Sequence, residues 1–226
     1  HLHRAEHSPP AFDVALRQHI AEVEQIAANP EAPSFDNTVA AFDSSGRLLA
    51  RISHLFHNLC SSETSPALQA VERTMAPRLA AHQNAIYLNG ALFARVDSLH
   101  ARRDGLGLAP EARRLLERVH LDFVLAGARL DERAKLRFAA VSERLAELQT
   151  TFSQNVLHDE STWVLWLTDE RDLAGLPAFV RAAAREAAEQ RGRSDAWAIT
   201  LSRSLVAPFL TYSDRRDLRE QAFKAW

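Results

Sequence analysis

Cysteine is almost absent from this sequence. Cys60 is the only one in 226 residues, so no disulfide can form within the chain, and the class of small scaffolds held by disulfides is excluded. Its neighbours Phe56 and Leu59 indicate a small core residue. The alternative, a catalytic thiol, requires a partner histidine and an activating helix terminus, and the sequence indicates neither.

Long apolar runs and a charge surplus are missing as well. No stretch approaches the ~20 apolar residues of a membrane-spanning helix, so we predict no membrane span. The 27 Lys and Arg residues stand against 29 Asp and Glu, without the basic cluster of a nucleic-acid binder, so we predict no nucleic-acid partner. The sequence opens at His1 without a methionine or an apolar signal segment, so it indicates no compartment directly.

The common catalytic motifs are also missing. The sequence contains no HExxH zinc motif and no GxSxG nucleophile elbow. Its glycine-rich stretch, 104–107, lacks the preceding strand and the Lys-Ser/Thr pair of a phosphate loop. We therefore predict that this chain contributes no catalytic residue, no cofactor-binding residue and no metal ligand.

One inverted metal motif, HxxEH, does occur near the start of the sequence. It would place His3 and His7 on one helical face with Glu6 beside them. However, it precedes a Pro-Pro pair with no long helix around it, and a third ligand would have to come from a distant segment. We interpret it as a chance pattern rather than a metal site.

The other histidines form no convincing site. His54 and His57 are three residues apart and share a helical face, but they lack an acidic third ligand. We interpret them as ordinary partly buried or surface residues. His82, His120 and His158 are isolated, and we interpret each as a packing or surface residue rather than a catalyst.

Arginine and tryptophan offer two further candidates. The arginine pairs at 102–103 and 113–114 flank the turn at 104–107, and their fork geometry suits a peptide carboxylate. A solvated charged face is the interpretation we favour. Trp163, Trp166 and Trp197 are interpreted as core or strand-pair residues rather than stacking platforms.

Helical periodicity dominates the first two-thirds of the sequence. The predicted helices run from Pro9-Pro10 to Asn29, from Asp36 to about Cys60, from Pro66 to Asn89, over 91–103, over 110–126, and from Asp131 to about residue 160. We expect a weak point or a close helix crossing at Gly46 and a kink at Pro77. The last of these helices carries an apolar stripe at Val141, Leu145, Leu148, Phe152 and Val156. Such a stripe is typical of the central strut of a bundle.

The pattern changes at Ser161. Thr162–Leu167 and Ala196–Leu201 are rich in β-branched and aromatic residues and predict two short strands, which pair in either direction around a helix over 177–191. A last helix is predicted to begin at Asp214, and we expect the end of the sequence at Trp226 to truncate it. The predicted fold is mainly α, a multi-helix bundle with a small β element near the C-terminal end. We predict a bundle over 1–160 and an extension over 161–226 within the same structural unit.

Several segments resemble the thimet-oligopeptidase family, in its peptidyl-dipeptidase and oligopeptidase A branch. The most specific is NPEAPSFDNT, a helix end, a proline-spaced link and a capped helix start in fixed order. The similar segments, which together cover essentially the whole chain, are 4–12, 29–38, 76–93, 123–130, 145–155 and 217–223.

The resemblance implies two helical halves that enclose a deep channel, with zinc held in the C-terminal half by HExxH and a downstream glutamate that this sequence lacks. It implies that the full-length parent contains zinc and hydrolyses peptide bonds in short peptides. It also implies that this segment forms one channel wall, is inactive alone and docks with the missing catalytic domain. The HxxEH pattern falls on the family's opening segment, away from its metal. Two alternatives remain: a stand-alone peptide- or protein-binding module derived from such a peptidase, or an unrelated helical scaffold. The resemblance leaves open whether the parent cleaves internal bonds or releases dipeptides. It implies a bacterial protein of either the cytoplasm or the periplasm, because the family occupies both compartments.

Overall fold

A computed structural model describes residues 4–226. The predicted fold class is confirmed: the described chain is mainly helical, and its sheet is a single pair of short strands towards the C-terminal end. It clusters into two compact units, the first ending at Thr151 and the second covering Phe152–Trp226. The boundary that we predicted after residue 160 marks a change of sequence pattern and stays a prediction.

The first unit is built from helices that pack around two apolar clusters. The helices are α1 (Ser8–Ala27), α2 (Ala41–Asp43), α3 (Arg47–Ser62), α4 (Pro66–Tyr87), α5 (Gly90–Ala101), α6 (Pro110–Leu125) and the start of α7 (Glu132–Thr162). One cluster centres on Leu92, Leu116 and Phe123. The other centres on Phe12, Phe56 and Met75, where the rings of Phe12 and Phe56 meet edge to face at 5.4 Å.

Local sequence signals explain where most of these helices begin. The Ser65 hydroxyl accepts a hydrogen bond from the Leu68 amide at the start of α4, and the Asn89 side chain does the same for Leu92 in α5. Pro110 occupies the first turn of α6, where its missing N–H removes no helical bond. These starts agree with the predictions.

The predicted helix from Asp36 to Cys60 is wrong in two respects. The capping residue is Ser34, which accepts from the Asn37 amide at 3.1 Å, and a short π-helix, Phe35–Ala40, follows it. The helix is then interrupted at Gly46, whose φ of +68° is a left-handed conformation that favours glycine. The predicted close crossing is present there, because a Cβ on Gly46 would lie 2.7 Å from the ring of His19 in α1.

The longest helix does not occupy the position that we predicted for it. None of the residues of α7 is buried, and all members of its predicted apolar stripe are exposed. The amphipathic pattern was identified correctly, but the interpretation as a buried strut is wrong for this chain. Periodicity shows that one face of a helix is apolar, whereas only the fold shows whether another element covers that face.

The second unit contains the sheet. Its elements after α7 are β1 (Val164–Leu167), α8 (Ala178–Glu189), β2 (Trp197–Thr200), α9 (Arg203–Tyr212) and α10 (Arg216–Ala225). The strands pair antiparallel, with Leu165 opposite Ile199, which settles the direction that the sequence left open. We did not predict α9, although it supplies the fully buried Phe209 to the core of this unit.

Candidate functional site

The HxxEH pattern lies partly outside the described residues, because His3 is not among them. Within the described part, Glu6 and His7 belong to a short 3-10 turn, and the His7 Nδ1 atom accepts a hydrogen bond from the Arg4 amide at 3.2 Å. The Glu6 carboxylate lies 4.0 Å from the other ring nitrogen of His7. The His7 imidazole therefore caps the turn through Nδ1, one of its two possible metal-binding nitrogens.

Three of the other predicted histidines are surface residues. His54, His57 and His158 are exposed on α3 and α7. His57 donates from Nδ1 to the carbonyl of Ser53 at 2.7 Å, a bond within its own helix turn. These positions agree with the interpretation of His54, His57 and His158 as ordinary surface residues.

His82 is different, because it belongs to a polar cluster that joins three segments. His82 on α4 bonds His19 on α1 across 2.9 Å, and His19 bonds the Ser45 hydroxyl across 3.2 Å. The Ser45 hydroxyl donates its own hydrogen to the Phe42 carbonyl at 2.7 Å, so its oxygen accepts from His19 Nε2. His19 Nδ1 is then the acceptor, and His82 Nε2–H is the donor.

This chain of bonds requires a neutral His19, because its Nδ1 atom accepts, and burial favours a neutral His82 as well. Burial, followed by repulsion from the charge of a protonated His19, lowers the pKa of His82 to about 4. Burial also lowers the pKa of His19, against the opposing effect of Glu22. The Glu22 carboxylate is occupied, since it accepts from the Gly46 amide at 2.7 Å. The cluster joins α1 to α4. The sequence does not indicate the contact between His19 and His82, because 63 residues separate them.

His120 belongs to a second polar cluster, between α5 and α6. Its Nε2 atom donates to Asp97 at 2.8 Å, and Arg129 reaches the same carboxylate oxygen at 3.2 Å. The His120 hydrogen bond is the main reason that the pKa of Asp97 is lowered. The ring of His100 stacks on that of His120 at 3.7 Å. At 7% exposure, His120 packs between helices, as we predicted.

A buried arginine, Arg95, joins α5 to the segment Asn29–Thr38. Arg95 on α5 is 8% exposed. Its guanidinium donates to the carbonyls of Asn29 and Glu31 at 2.8 and 3.1 Å, and to the side chains of Asn37 and Thr38 at 3.0 and 3.3 Å. No carboxylate among the described residues pairs with it. The segment therefore folds around a cation that only amide and hydroxyl oxygens stabilise.

Three of the four arginine candidates from the sequence form hydrogen bonds or ion pairs within the first unit. Arg102 donates to the Pro33 carbonyl at 2.6 Å, and Arg103 donates to the His100 carbonyl at 2.9 Å. Arg113 pairs with Asp104 at 2.7 Å and with Glu117 at 3.1 Å. These contacts pin the turn at 104–107 to its flanking helices. They leave Arg114 exposed to solvent.

The tryptophan candidates and Cys60 also serve packing. The guanidiniums of Arg193 and Arg185 lie over the rings of Trp166 and Trp197 at 4.8 and 4.2 Å, and Trp163 packs against the core of the second unit. Cys60 is half-buried, and burial followed by the charge of Glu72 raises its thiol pKa to about 11. A thiol held protonated in this way is a poor nucleophile.

The described residues do not fit a zinc ion. Across 4–226, no three His, Cys, Asp or Glu side chains come together in an arrangement that could hold a metal. A structural zinc site needs four protein ligands, and a catalytic one needs three. Over the same residues, no helix combines the length and apolar character of a membrane span.

The first unit also carries an open groove between α4, α6 and α7. It encloses about 540 Å³, and its lining includes Tyr87, Leu125 and Phe138. The Asn84 amide donates to the Ser142 hydroxyl at 2.9 Å on its wall and so ties α7 to α4. Burial raises the pKa of Tyr87 in this groove, and the neighbouring Asp122 raises it further. The side chains that line the groove form no nucleophile–base pair.

Comparison with known proteins gives these features their context. Dipeptidyl carboxypeptidase of Escherichia coli is 38% identical to the chain over 219 residues, which are 97% of the chain, and the same protein of Salmonella typhimurium is 39% identical. Oligopeptidase A of Salmonella typhimurium is 28% identical over 223 residues. The chain is homologous to these bacterial peptidases. The family resemblance in the sequence is thereby confirmed.

The homology covers the chain but only part of each relative. The chain spans about a third of the length of the relatives that it matches, 32% for the dipeptidyl carboxypeptidases and 33% for the Salmonella oligopeptidase A. No family model matches the chain. The chain is thus similar to a segment of a peptidase rather than to a whole one.

Proposed function

We propose that this chain is the N-terminal, non-catalytic part of a zinc peptidase that hydrolyses short peptides, and that it forms one wall of the substrate channel. The observation that carries the proposal is the homology to dipeptidyl carboxypeptidase, at 38% identity over 97% of the chain. The metal, the general base and the docking partner of this segment then belong to another part of the same enzyme.

The polar interior of the first unit supports a wall rather than a reaction centre. Arg95 joins α5 to the link that follows α1, and the His19–His82 and His120–Asp97 pairs each join two helices. No buried side-chain nitrogen or oxygen among the described residues lacks a partner. A rigid wall of this kind selects substrates by steric exclusion, admitting short and unstructured peptides.

The test is a peptidase assay on the complete product of the gene alongside residues 1–226. We expect the complete product to cleave a quenched fluorescent octapeptide, to lose that activity with 1,10-phenanthroline, and to contain about one zinc per chain by mass spectrometry. We expect residues 1–226 to show neither cleavage nor stoichiometric zinc. Chelator-sensitive cleavage by residues 1–226 alone would contradict the proposal.

Product analysis addresses the substrate class. Mass spectrometry of the digest separates successive dipeptide release, the activity that the name dipeptidyl carboxypeptidase denotes, from cleavage at internal bonds. A complete product that has no peptidase activity but binds the same peptides would instead support the stand-alone binding module.

A further inference from the structure

A small cavity lies between the two apolar clusters of the first unit. It encloses about 240 Å³ and is lined by residues of α1, α2, α3 and α4, and we call it the α1–α4 cavity. All of its lining residues fall within 19–87, so the cavity is formed by this chain alone. The apolar residues of the lining, which come from both clusters, are Phe42, Leu49, Leu79 and Ile86.

One end of the histidine cluster lies at this cavity. His82 is part of the lining, and the hydrogen bonds run in one direction away from it, because His82 Nε2–H donates to His19 and His19 donates to Ser45. The Nδ1 atom of His82 is therefore a lone-pair acceptor, and no hydrogen bond within residues 4–226 reaches it. Successive hydrogen bonds polarise one another, so donation from Nε2–H makes this nitrogen a stronger acceptor than in an isolated imidazole.

The lining favours a neutral occupant. Among the described residues around the cavity there is no Asp, Glu, Lys or Arg. A charged ligand would therefore lose its hydration without gaining a partner of opposite charge.

The rings and the size of the α1–α4 cavity favour an aromatic occupant. Phe42 and Tyr87 meet edge to face with ring centroids 6.2 Å apart, and a further ring can pack against them in the same geometry. An apolar cavity of about 150 Å³ is sufficient for benzene. The α1–α4 cavity therefore has room for one aromatic ring with a polar substituent.

We propose that the α1–α4 cavity binds a small neutral aromatic molecule that carries one hydroxyl or N–H donor and has about the size of a phenol. The ring occupies the apolar space, and the donor bonds the Nδ1 atom of His82. The ligand thus extends the hydrogen-bond chain through His82, His19 and Ser45 by one member. This inference goes beyond the proposed function and does not depend on peptidase activity.

Two other occupants are separated from this one by the test. Ordered water needs two to four polar partners, and the lining offers it few besides His82 and the polar ends of Gln83 and Tyr87. A side chain from the rest of the proposed enzyme would fill the cavity in the complete gene product but not in residues 1–226.

The experiment compares two probes that differ only by a hydroxyl group, 4-fluorophenol and fluorobenzene. Each is titrated into residues 1–226 and followed by fluorine NMR. We expect 4-fluorophenol to bind about fivefold more tightly, because only this probe can donate to His82. His82→Leu should abolish the preference while fluorobenzene still binds. His57→Leu, at an exposed histidine on α3, should preserve it.

A second pair of variants tests the position of the probe. Leu79→Trp should weaken both probes by about tenfold or more, because the indole occupies the space of the ligand ring. Leu55→Trp, at a leucine of α3 that is 49% exposed and outside the lining, should change neither. Circular dichroism verifies that each variant is folded.

A measurement on the unmodified sequence keeps the test independent of the His82 variant. With nitrogen-15 histidine incorporated, the Nδ1 resonance of His82 should shift on addition of 4-fluorophenol and not on addition of fluorobenzene. An unchanged resonance at saturating 4-fluorophenol would contradict the assigned hydrogen bond.

Several results would overturn the proposal. They are binding of neither probe, which would leave the cavity to water, equal binding of both probes, an undiminished preference in His82→Leu, and unchanged binding in Leu79→Trp. The complete gene product should bind 4-fluorophenol as residues 1–226 do. Binding by residues 1–226 but not by the complete product would assign the cavity to a side chain of the rest of the enzyme, and the proposed ligand site would be wrong.

Discussion

A single buried guanidinium organises the most specific segment of the sequence. Arg95 reaches four acceptors in 29–38 from a helix more than fifty residues away, and no carboxylate shares its charge within the described residues. The sequence shows the order of Pro, Ser and Asn in this segment but not the cation around which it folds, because the partner is distant along the chain.

Replacing Arg95 by methionine should therefore be costly. Arg95→Met removes the donor to the part-buried carbonyls of Asn29 and Glu31 and to the buried Thr38 hydroxyl, and we expect a loss of about 2–4 kcal/mol in the free energy of unfolding. Urea denaturation followed by circular dichroism measures it. Arg102→Met is the matched control, because the exposed Arg102 binds one carbonyl of the same segment and its loss should cost under about 1 kcal/mol. Equal effects of the two substitutions would contradict the role assigned to Arg95.

Gly46 has two independent reasons to be glycine, and they can be separated. Its φ is +68°, and a Cβ would lie 2.7 Å from the His19 ring. Gly107 has a similar φ of +62° with nothing within 4 Å of the added carbon. We expect Gly107→Ala to cost about 1 kcal/mol and Gly46→Ala about 2–4 kcal/mol in unfolding free energy, the difference being the contact with His19. Similar values for both would show that the ring moves aside freely.

The His19–His82 pair makes stability depend on pH. The pKa of His82 is about 4 in the folded chain and 6.5 ordinarily, so below pH 6.5 the unfolded chain takes up a proton that the folded chain does not. Stability should therefore fall as the pH is lowered from about 6.5 towards 4. Thermal denaturation at pH 7.5 and 5 measures the change in melting temperature. His82→Gln should flatten this dependence, whereas His158→Gln, at an exposed histidine, should preserve it; identical curves for both variants would refute the assignment.

At the scale of elements, the apolar stripe of α7 shows that an amphipathic pattern does not by itself determine whether a helix face is buried. Leu145 and Leu116 are both leucines at core-like helical positions, yet Leu145 is half exposed and Leu116 is fully buried. Leu145→Ala should change the unfolding free energy of residues 1–226 by less than about 0.5 kcal/mol, and Leu116→Ala should lower it by about 2–5 kcal/mol. Chemical denaturation of the two variants measures both. A large loss for Leu145→Ala would mean that its face is covered in solution.

At the scale of the whole molecule, each compact unit has its own core. The four tryptophans all lie at or after residue 163, so their fluorescence reports on the second unit, whereas most helical residues belong to the first. We expect Leu116→Ala to lower the melting temperature seen by circular dichroism by about 4 °C or more without moving the fluorescence midpoint. Phe209→Ala should move the fluorescence midpoint. Coincident shifts of both signals would show one cooperative unit, as the sequence led us to expect.

The sequence by itself determined the helical class, most helix starts, the two strands and the family resemblance. These features rest on residues close together along the chain, such as Ser65 with Leu68 or Pro110 in a first turn, so local chemistry is sufficient. Only the tertiary structure decided that His19 meets His82, that Arg95 holds the segment Asn29–Thr38, and that α7 exposes its apolar face. Those outcomes depend on which distant segments approach each other, and periodicity along one helix contains no information about its neighbours.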